Sequence, residues 1–551
     1  MDKSLNILFE NCFKNHWNYL ALSNYKGENL QYRDVARRIE KLHILFKECG
    51  LQKGDKVALC GRNQTNWAVV FMATLTYGAV IVPILHEFKE SNIHHIVTHS
   101  ESKILFVGDQ IWEGLSETEM PNLGAVVLLS DFSILYAKEP HIIEVREHLN
   151  ELFGKKYPKN FLPEHIKYHN DEPEELAMIN YTSGTTGFSK GVMLPYRCLW
   201  SNALFAFEVI PNVRSGSDVV SMLPMAHVYG MAFEFIFEMT VGAHVHFLTR
   251  MPSPKIIMES FANVRPKIII AVPLIIEKIY KSKLQPMLNK MSMQVLLRLP
   301  VIEQKVRNKI HDTLINVFGG NFGEVIIGGA PFNREAEHFF KKIGFPYTVG
   351  YGMTECGPII TYANWRENKT FSCGRAAPRM EVRIASSDPK NIPGEIQCRG
   401  ENVMLGYFKD PNATAAVFTD DGWLCTGDMG TIDSDGFVFI KGRCKSMFLG
   451  PSGQNIYPEE IESVLNNMPY VVESLVIEKD EKMVALVYPN FELAAETHVS
   501  IQELDKIMEE NLRLLNEEQP NYAKVAKIQI FPEEFEKTPK KSIKRYLYQN
   551  S

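Results

Sequence analysis

The 551-residue sequence has no C-x-x-C pair among its nine cysteines, no surplus of positive charge, no internal repeat and no low-complexity tract. Each absence removes a class of protein. The cysteines (Cys12, Cys49, Cys60, Cys198, Cys356, Cys373, Cys398, Cys425 and Cys444) are odd in number and irregularly spaced, which fits reduced thiols and a cytosolic setting better than a disulfide framework. A formal net charge of −6 argues against a nucleic-acid binder, whose signature is a basic face. The most apolar stretch, residues 69–85, is interrupted by Thr74, Thr76, Tyr77, Gly78 and Pro83, so it reads as helix, turn and strand and not as a membrane span. The opening residues, MDKSLNILFENCF, hold two acidic groups and no long apolar core, and no signal peptide is expected. Peripheral contact with a membrane stays compatible with the sequence. What is abundant is apolar content: 45% of a chain this long is enough for two or more packed cores, the size of a multi-lobed enzyme.

From residue 56 to 107, apolar runs of strand length (56–60, 79–84, 104–107) alternate with segments of helical length (67–77, 91–100). That alternation predicts a parallel sheet covered on both faces, with ligand sites beyond the carboxyl ends of the strands. A further apolar strand, 176–181, leads into YTSGTTGFSKG at 181–191, which packs five Ser or Thr hydroxyls, three glycines and one lysine into eleven residues. Glycines let backbone N–H groups turn toward an anion, hydroxyls add donors, and Lys190 adds a point charge, so the stretch suits phosphate. It is not the common ATPase loop, because Gly184, Gly187 and Lys190 recur at every third position. Four later strands (219–223, 267–272, 324–327, 346–349) run into Pro224-Met225-Ala226-His227, Pro273, Gly328-Gly329-Ala330-Pro331 and Gly350-Tyr351-Gly352-Met353-Thr354-Glu355. Four such endings predict one shared cleft.

Beyond Gly374 the texture changes to short strands closed by turns (381–385, 394–399, 423–427, 436–441), as in an antiparallel, barrel-like subdomain. Past residue 444 a small α+β unit is expected, with a helix starting at Pro458 and strands 472–477 and 484–488 paired. The predicted fold is α/β: a large N-terminal domain, 1–444, of parallel-rich sheets with helices on both faces and a barrel-like part at about 374–444, then a small mobile C-terminal domain, 445–551.

YTSGTTGFSKG, LPMAHVYG, IGGAP, VGYGMTE, GWLCTGD, GRCKS and NIYPEEIE follow one another in this order. Together they resemble the acyl-adenylate-forming superfamily, and within it the acyl-CoA synthetases, most of all the long-chain fatty acid–CoA ligases. The resemblance implies a two-step reaction. A carboxylate attacks the α-phosphorus of ATP and releases pyrophosphate, and a thiol, that of coenzyme A, then cleaves the acyl-adenylate. Such chemistry needs positioned donors and a metal more than a general base. By the same resemblance, Thr182, Ser183, Gly184, Thr185, Thr186, Gly187 and Lys190 hold the β- and γ-phosphates. Glu355 holds Mg2+, Thr354 contacts the α-phosphate, and Tyr351 and Gly352 face adenine against a wall of Gly329, Ala330 and Pro331. Asp428 accepts the ribose hydroxyls, Arg443 reaches the ribose and phosphate, Lys445 is the hinge, and His227 lines the acyl-carboxylate site. Residues 448–457 resemble the segment that lines the pantetheine tunnel.

One departure stands at the carboxyl end. The family's catalytic lysine precedes an isoleucine, and here that position is Ser542, before Ile543. Serine cannot supply the charge, so either Lys541, one residue earlier, takes the role, its four-carbon stem absorbing the offset, or adenylation is weakened while the thioester step survives; the first is expected. Lys540, Lys541, Lys544 and Arg545 would ordinarily be a solvated basic tail. The chain ends six residues after Arg545, and no carrier domain is expected downstream. Val228 and Tyr229 follow His227 where amino-acid-activating relatives place an aspartate, which disfavours an amino acid substrate; Glu234 is the nearest acid. Two alternatives to a fatty acid–CoA ligase remain: a ligase that loads an acyl carrier protein, and a weakened nucleotide- or acyl-binding sensor.

Overall fold

The computed structural model describes residues 3–182, 190–210, 212–250, 252–280, 300–449, 455–479, 482–520, 523–538 and 543–548. Its largest sheet has eight strands in the order Gly406–Tyr407, Lys190–Pro195, Leu176–Thr182, Val80–Ile84, Lys56–Cys60, Ser102–Val107, Ala125–Leu128 and Ile134–Ala137. The centre is parallel and both edges are antiparallel. Parallel strands need crossovers, and helices Thr65–Tyr77 and Glu90–His99 supply them between the strands predicted from alternation. The helix Thr65–Tyr77 is buried on every side from Thr65 to Thr76, which explains why its sequence is apolar all round. Gly78 stops it in the left-handed region (φ 87°), its N–H bonding back to Leu75. The apolar stretch 69–85 is therefore helix, turn and strand, and among the described residues no helix is long and apolar enough to cross a membrane.

The four strands expected to line a cleft fall in two sheets. Asp218–Ser221 joins His244–Phe247, Leu20–Asn24 and Asn29–Gln31, whereas Ile269–Ala271, Val325–Ile327 and Tyr347–Val349 form a separate parallel sheet. The two are stitched at one end, where the Lys267 N–H donates to the Asp218 carbonyl at 2.9 Å. The later strands Met380–Ala385, Gly394–Gly400, Leu424–Ile432 and Val438–Arg443 make a four-stranded antiparallel sheet in that order.

One continuous apolar core runs from Leu5 to Val438. Two separate clusters, built on Ile456, Ile461, Leu486, Leu504 and Phe535 among others, pack the last part of the chain around the sheet Val471–Lys479, Lys482–Pro489 and Lys527–Ile530. Polar contacts link the two parts: Lys441 to Glu460 at 3.3 Å, Arg334 to Glu460 at 3.5 Å, and Asn333 to Asn467. Contacts of this kind hold less firmly than a shared apolar core, because exposed ion pairs contribute only about 0–1 kcal/mol each.

Candidate functional site

The glycine-rich stretch joins two antiparallel strands, and Thr182 and Lys190 face each other as register partners, so its ends are brought together. Ser183, Gly184, Thr185, Thr186 and Gly187 lie outside the described residues. Beside Lys190 runs the short edge strand Gly406–Tyr407, with Tyr407 opposite Val192. The Lys190 ammonium lies 4.8 Å from the centre of the Tyr407 ring, within cation–π range. The Tyr407 hydroxyl donates to Glu355 Oε1 at 2.9 Å. Burial, and then the Glu355 charge, push the Tyr407 phenol far up, which keeps it a donor. One side chain thus links the lysine of the glycine-rich stretch to the glutamate of YGMTE. The Met404 N–H also donates to the Glu355 carbonyl at 2.8 Å and fixes that turn.

Thr354 is buried beside Glu355 in the single turn Thr354–Cys356. Upstream, Tyr351–Gly352 pairs with Ile359–Tyr362 so closely that a Cβ on Gly352 would stand 2.1 Å from the Pro358 carbonyl oxygen. Only glycine fits there. The Tyr351 hydroxyl donates to Asp428 Oδ2 at 2.7 Å, and Arg443 Nε lies 3.1 Å from Asp428 Oδ1. Asp428 and Arg443 are register partners on adjacent antiparallel strands, and the arginine side chain is 61% exposed. Burial raises the Asp428 carboxyl above its ordinary range, against the opposing pull of the Arg443 charge and the Tyr351 bond.

Gly329, Ala330 and Pro331 lie exposed just past the strand Val325–Ile327, and the Gly350 N–H donates to the Ile327 carbonyl at 2.9 Å. Tyr229 props this edge from below. Its hydroxyl donates to the Ile326 carbonyl at 3.0 Å, and a Cβ on Gly328 would press on its ring at 3.1 Å. His227, two residues earlier, is half-buried, and its Nδ1 accepts from the Tyr229 N–H at 3.3 Å. The preceding Ala226 carbonyl accepts from Asn180 Nδ2 at 2.9 Å, which ties the PMAH segment to the strand that enters the glycine-rich stretch. Glu234 turns inward. It is fully buried, accepts from the Met222 and Leu223 N–H groups at 3.0 and 2.9 Å, and has its carboxyl pushed well above the ordinary range by burial, so it braces the strand end.

Lys445 is exposed in the turn between the two cored parts, where the Cys444 N–H donates to the Gly427 carbonyl at 2.9 Å. The strand pair Phe448–Leu449 and Asn455–Ile456 brackets a segment, 450–454, outside the described residues. Lys541 and Ser542 also lie outside them. Of the residues expected in a solvated basic tail, Lys540 also lies outside the described residues, Lys544 pairs with the exposed Glu536 at 2.6 Å, and the half-buried Arg545 pairs with Glu462 and is not solvated; upstream, Lys537 pairs with Glu473 at 2.8 Å. A bridge between Lys537 and Ile543 draws the chain together across that interval.

Tyr407 escaped the sequence reading. Its only signal is an aromatic after Gly406, and its importance depends on the edge strand that sets it between Lys190 and Glu355.

This is the fold of adenylate-forming enzymes. The ATP-bound MatB from Rhodopseudomonas palustris matches it with a TM-score of 0.77 over 99% of both chains at 23% identity. The o-succinylbenzoate CoA synthetase (MenE) from Bacillus subtilis, in complex with an acyl-adenylate intermediate, matches with a TM-score of 0.75 over 99% of this chain and 98% of that one at 20% identity. The chain belongs to the AMP-binding enzyme family, whose model matches residues 8–408. It is 26% identical over 469 residues to the long-chain-fatty-acid–CoA ligase FadD15 of Mycobacterium tuberculosis, covering 81% of this chain and 74% of that protein. It is 29% identical over 469 residues to the peroxisomal long chain acyl-CoA synthetase 6 of Arabidopsis thaliana, covering 78% of this chain and 63% of that one.

Proposed function

We propose that the chain is an ATP-dependent fatty acid–CoA ligase. The observation that carries this reading is the match, along most of the chain, to proteins named long-chain-fatty-acid–CoA ligases in bacteria, insects and vertebrates. In the first step the fatty carboxylate oxygen bonds to the α-phosphorus of ATP and the bond to the β-phosphate oxygen breaks, giving acyl-AMP and pyrophosphate. In the second, the thiol sulfur of coenzyme A bonds to the acyl carbon, AMP leaves, and the thiol proton is released.

The residues divide this work. Thr182 and Lys190, with Ser183, Gly184, Thr185, Thr186 and Gly187, grip the leaving pyrophosphate. Tyr351 and Gly352 face the adenine, with Gly329, Ala330 and Pro331 opposite. Asp428 takes the ribose hydroxyls, a task suited to a carboxylate with two oxygens, and Arg443 reaches the ribose and phosphate with a fixed fork. His227 positions the acyl carboxylate. Glu355, a carboxylate oriented by Tyr407 and next to the Thr354 hydroxyl, presents the oxygen donors that Mg2+ takes, and the ion supplies charge neutralisation at the phosphates when bound. Lys541 bridges the carboxylate and α-phosphate in adenylation.

The chain divides at Lys445 into domains 1–444 and 445–551, a reading supported by the separate apolar cores and the polar contacts between them. Rotation about that hinge would exchange Lys541 for the 448–457 segment. The nine free cysteines support a cytoplasmic location, with membrane contact limited to the periphery.

The test is thioester formation across acids of increasing length and an aryl acid, with coenzyme A or an acyl carrier protein as acceptor. Acids of about twelve to eighteen carbons should win with coenzyme A, because each further buried CH2 contributes about 0.8 kcal/mol. Lys541→Ala should slow adenylation more than thioester formation, and equal rates for variant and wild type would remove Lys541 from the mechanism. Absence of ATP–pyrophosphate exchange with every acid, while ATP still binds, would replace the ligase reading with the sensor. Transfer to the carrier protein alone would make the chain a carrier-loading ligase.

A further inference from the structure

We propose that Asp218, His244 and His246 form a binding site for a divalent transition-metal ion of the zinc type, distinct from the nucleotide cleft. Asp218 opens the strand Asp218–Ser221 and His244 opens the parallel strand His244–Phe247, and the two are register partners. His246, two residues on, shares the face of His244. Asp218 Oδ1 lies 3.0 Å from His244 Nδ1 and 2.8 Å from His246 Nε2, and the three atoms all fall within 4.8 Å of one another. A tetrahedral ion with bonds of about 2.0–2.1 Å holds its donors about 3.4 Å apart, so an outward shift of Asp218 by about half an ångström admits it.

The contacts behind His244 can take up the proton that ligation at Nδ1 displaces. Ser23 Oγ lies 2.6 Å from His244 Nε2 and 2.6 Å from Asn29 Oδ1, so it can donate to or accept from the imidazole as the tautomer requires. Without an ion, His244 Nδ1–H donates to Asp218 Oδ1 at 3.0 Å; a cation that takes Nδ1 moves the proton to Nε2, where Ser23 Oγ, 2.6 Å away, accepts it. A ligating histidine that donates its other N–H to a neighbouring oxygen is the usual arrangement around zinc. The two imidazoles are only 8% and 17% exposed, while Asp218 is 43% exposed, which leaves one open side for entry and for a completing water.

Two nitrogens and one oxygen favour Zn2+ over Mg2+, which takes oxygen donors. Asp218 and His244 stand at the starts of their strands, the edge opposite the carboxyl ends, with His246 two residues further along the same face. Ser23 belongs to Leu20–Asn24, which pairs with His244–Phe247, so an ion that fixes His244 also fastens the N-terminal strand to this sheet. The site is a clamp on the fold.

The experiment uses the full chain, stripped with a chelator and titrated with Zn2+ alone, with binding followed by calorimetry and folding by thermal melting. The wild type should bind about one equivalent and melt higher, with no shift from Mg2+ at the same concentration. Asp218→Asn and His246→Gln, both on the more exposed side of the site, should weaken binding by about tenfold or more. His311→Gln, a half-buried histidine beside Asp312, should bind as wild type does. Adenylation rates of all three variants should stay within about twofold of wild type. Cobalt substitution should give the visible absorption of a four-coordinate ion in wild type and lose it in His246→Gln. Failure of the wild type to bind Zn2+, or equal binding by wild type, Asp218→Asn and His246→Gln, would overturn the assignment.

Discussion

Replacing Asp428 by asparagine keeps the shape of the side chain and removes its charge, which isolates what the carboxylate does. In the structure Asp428 accepts from Tyr351 at 2.7 Å and pairs with Arg443 at 3.1 Å. Asparagine has one accepting oxygen, so it must turn its NH2 toward one of these two donors. In the proposed complex the carboxylate also accepts from both ribose hydroxyls. A hydrogen bond to a charged group is worth about 1.5–3 kcal/mol and a neutral one about 0.5–1.5, so each converted bond loses about 1–1.5 kcal/mol. Two such bonds give about 2–3 kcal/mol, or a fall of about 30- to 150-fold in kcat/KM for ATP. ATP–pyrophosphate exchange without coenzyme A reads this step alone, and a melting curve checks that the variant folds. Tyr351→Phe leaves the charge in place and removes one orienting donor, so its loss should be smaller, about tenfold. Because both changes act on the same carboxylate, their effects should not add in the double variant. An Asp428→Asn protein that melts normally and keeps kcat/KM for ATP within about twofold of wild type would refute the ribose assignment.

Tyr407→Phe removes the hydroxyl that donates to Glu355 but keeps the ring beneath Lys190. A lost bond to a carboxylate predicts about a tenfold slower adenylation and a higher Mg2+ requirement, read by titrating Mg2+ in the exchange assay; an unchanged Mg2+ curve would count against the coupling. Stability should carry a separate pH signature from Glu337, which burial pushes up to about 7 although its carboxylate accepts from the Phe371 N–H at 2.7 Å. Between its ordinary value of 4.5 and about 7 the folded chain keeps a proton that the unfolded chain has released, so stability falls as pH rises through that window, by about 3 kcal/mol. Denaturant melts of Glu337→Gln should lack this fall relative to wild type, and parallel pH profiles for the two proteins would show that the carboxyl titrates normally.

Much of the fold was legible because its strands are short, apolar and punctuated. Lys56–Cys60 coincides with the predicted run, and the stretch 69–85 divides at Gly78 because a left-handed residue ends the helix there. Less legible was which strands share a sheet. Apolar alternation reports that a strand is buried but not against what, so the separation of Asp218–Ser221 from the three strands ending at Ala271, Ile327 and Val349 appears only in the pairing. The basic tail misled for the same reason. Arg545, in a run of Lys and Arg, looks solvated until Glu462, 83 residues away, is brought beside it.

By itself the sequence determined the local chemistry: a glycine- and hydroxyl-rich stretch with its lysine, a glutamate after YGMT, an aspartate after a turn, and a serine where a lysine is expected at 542. These are legible because phosphate, metal and ribose each demand particular residue types within a few positions of one another. Tertiary structure alone decided how they couple. Tyr407 reaches both Lys190 and Glu355 only because an edge strand pairs beside Lys190–Pro195, and Arg443 meets Asp428 only through antiparallel register. Likewise Asp218, His244 and His246 converge only where two parallel strands begin side by side. Such contacts depend on the pairing of segments distant in the chain, and no short window of sequence records that pairing.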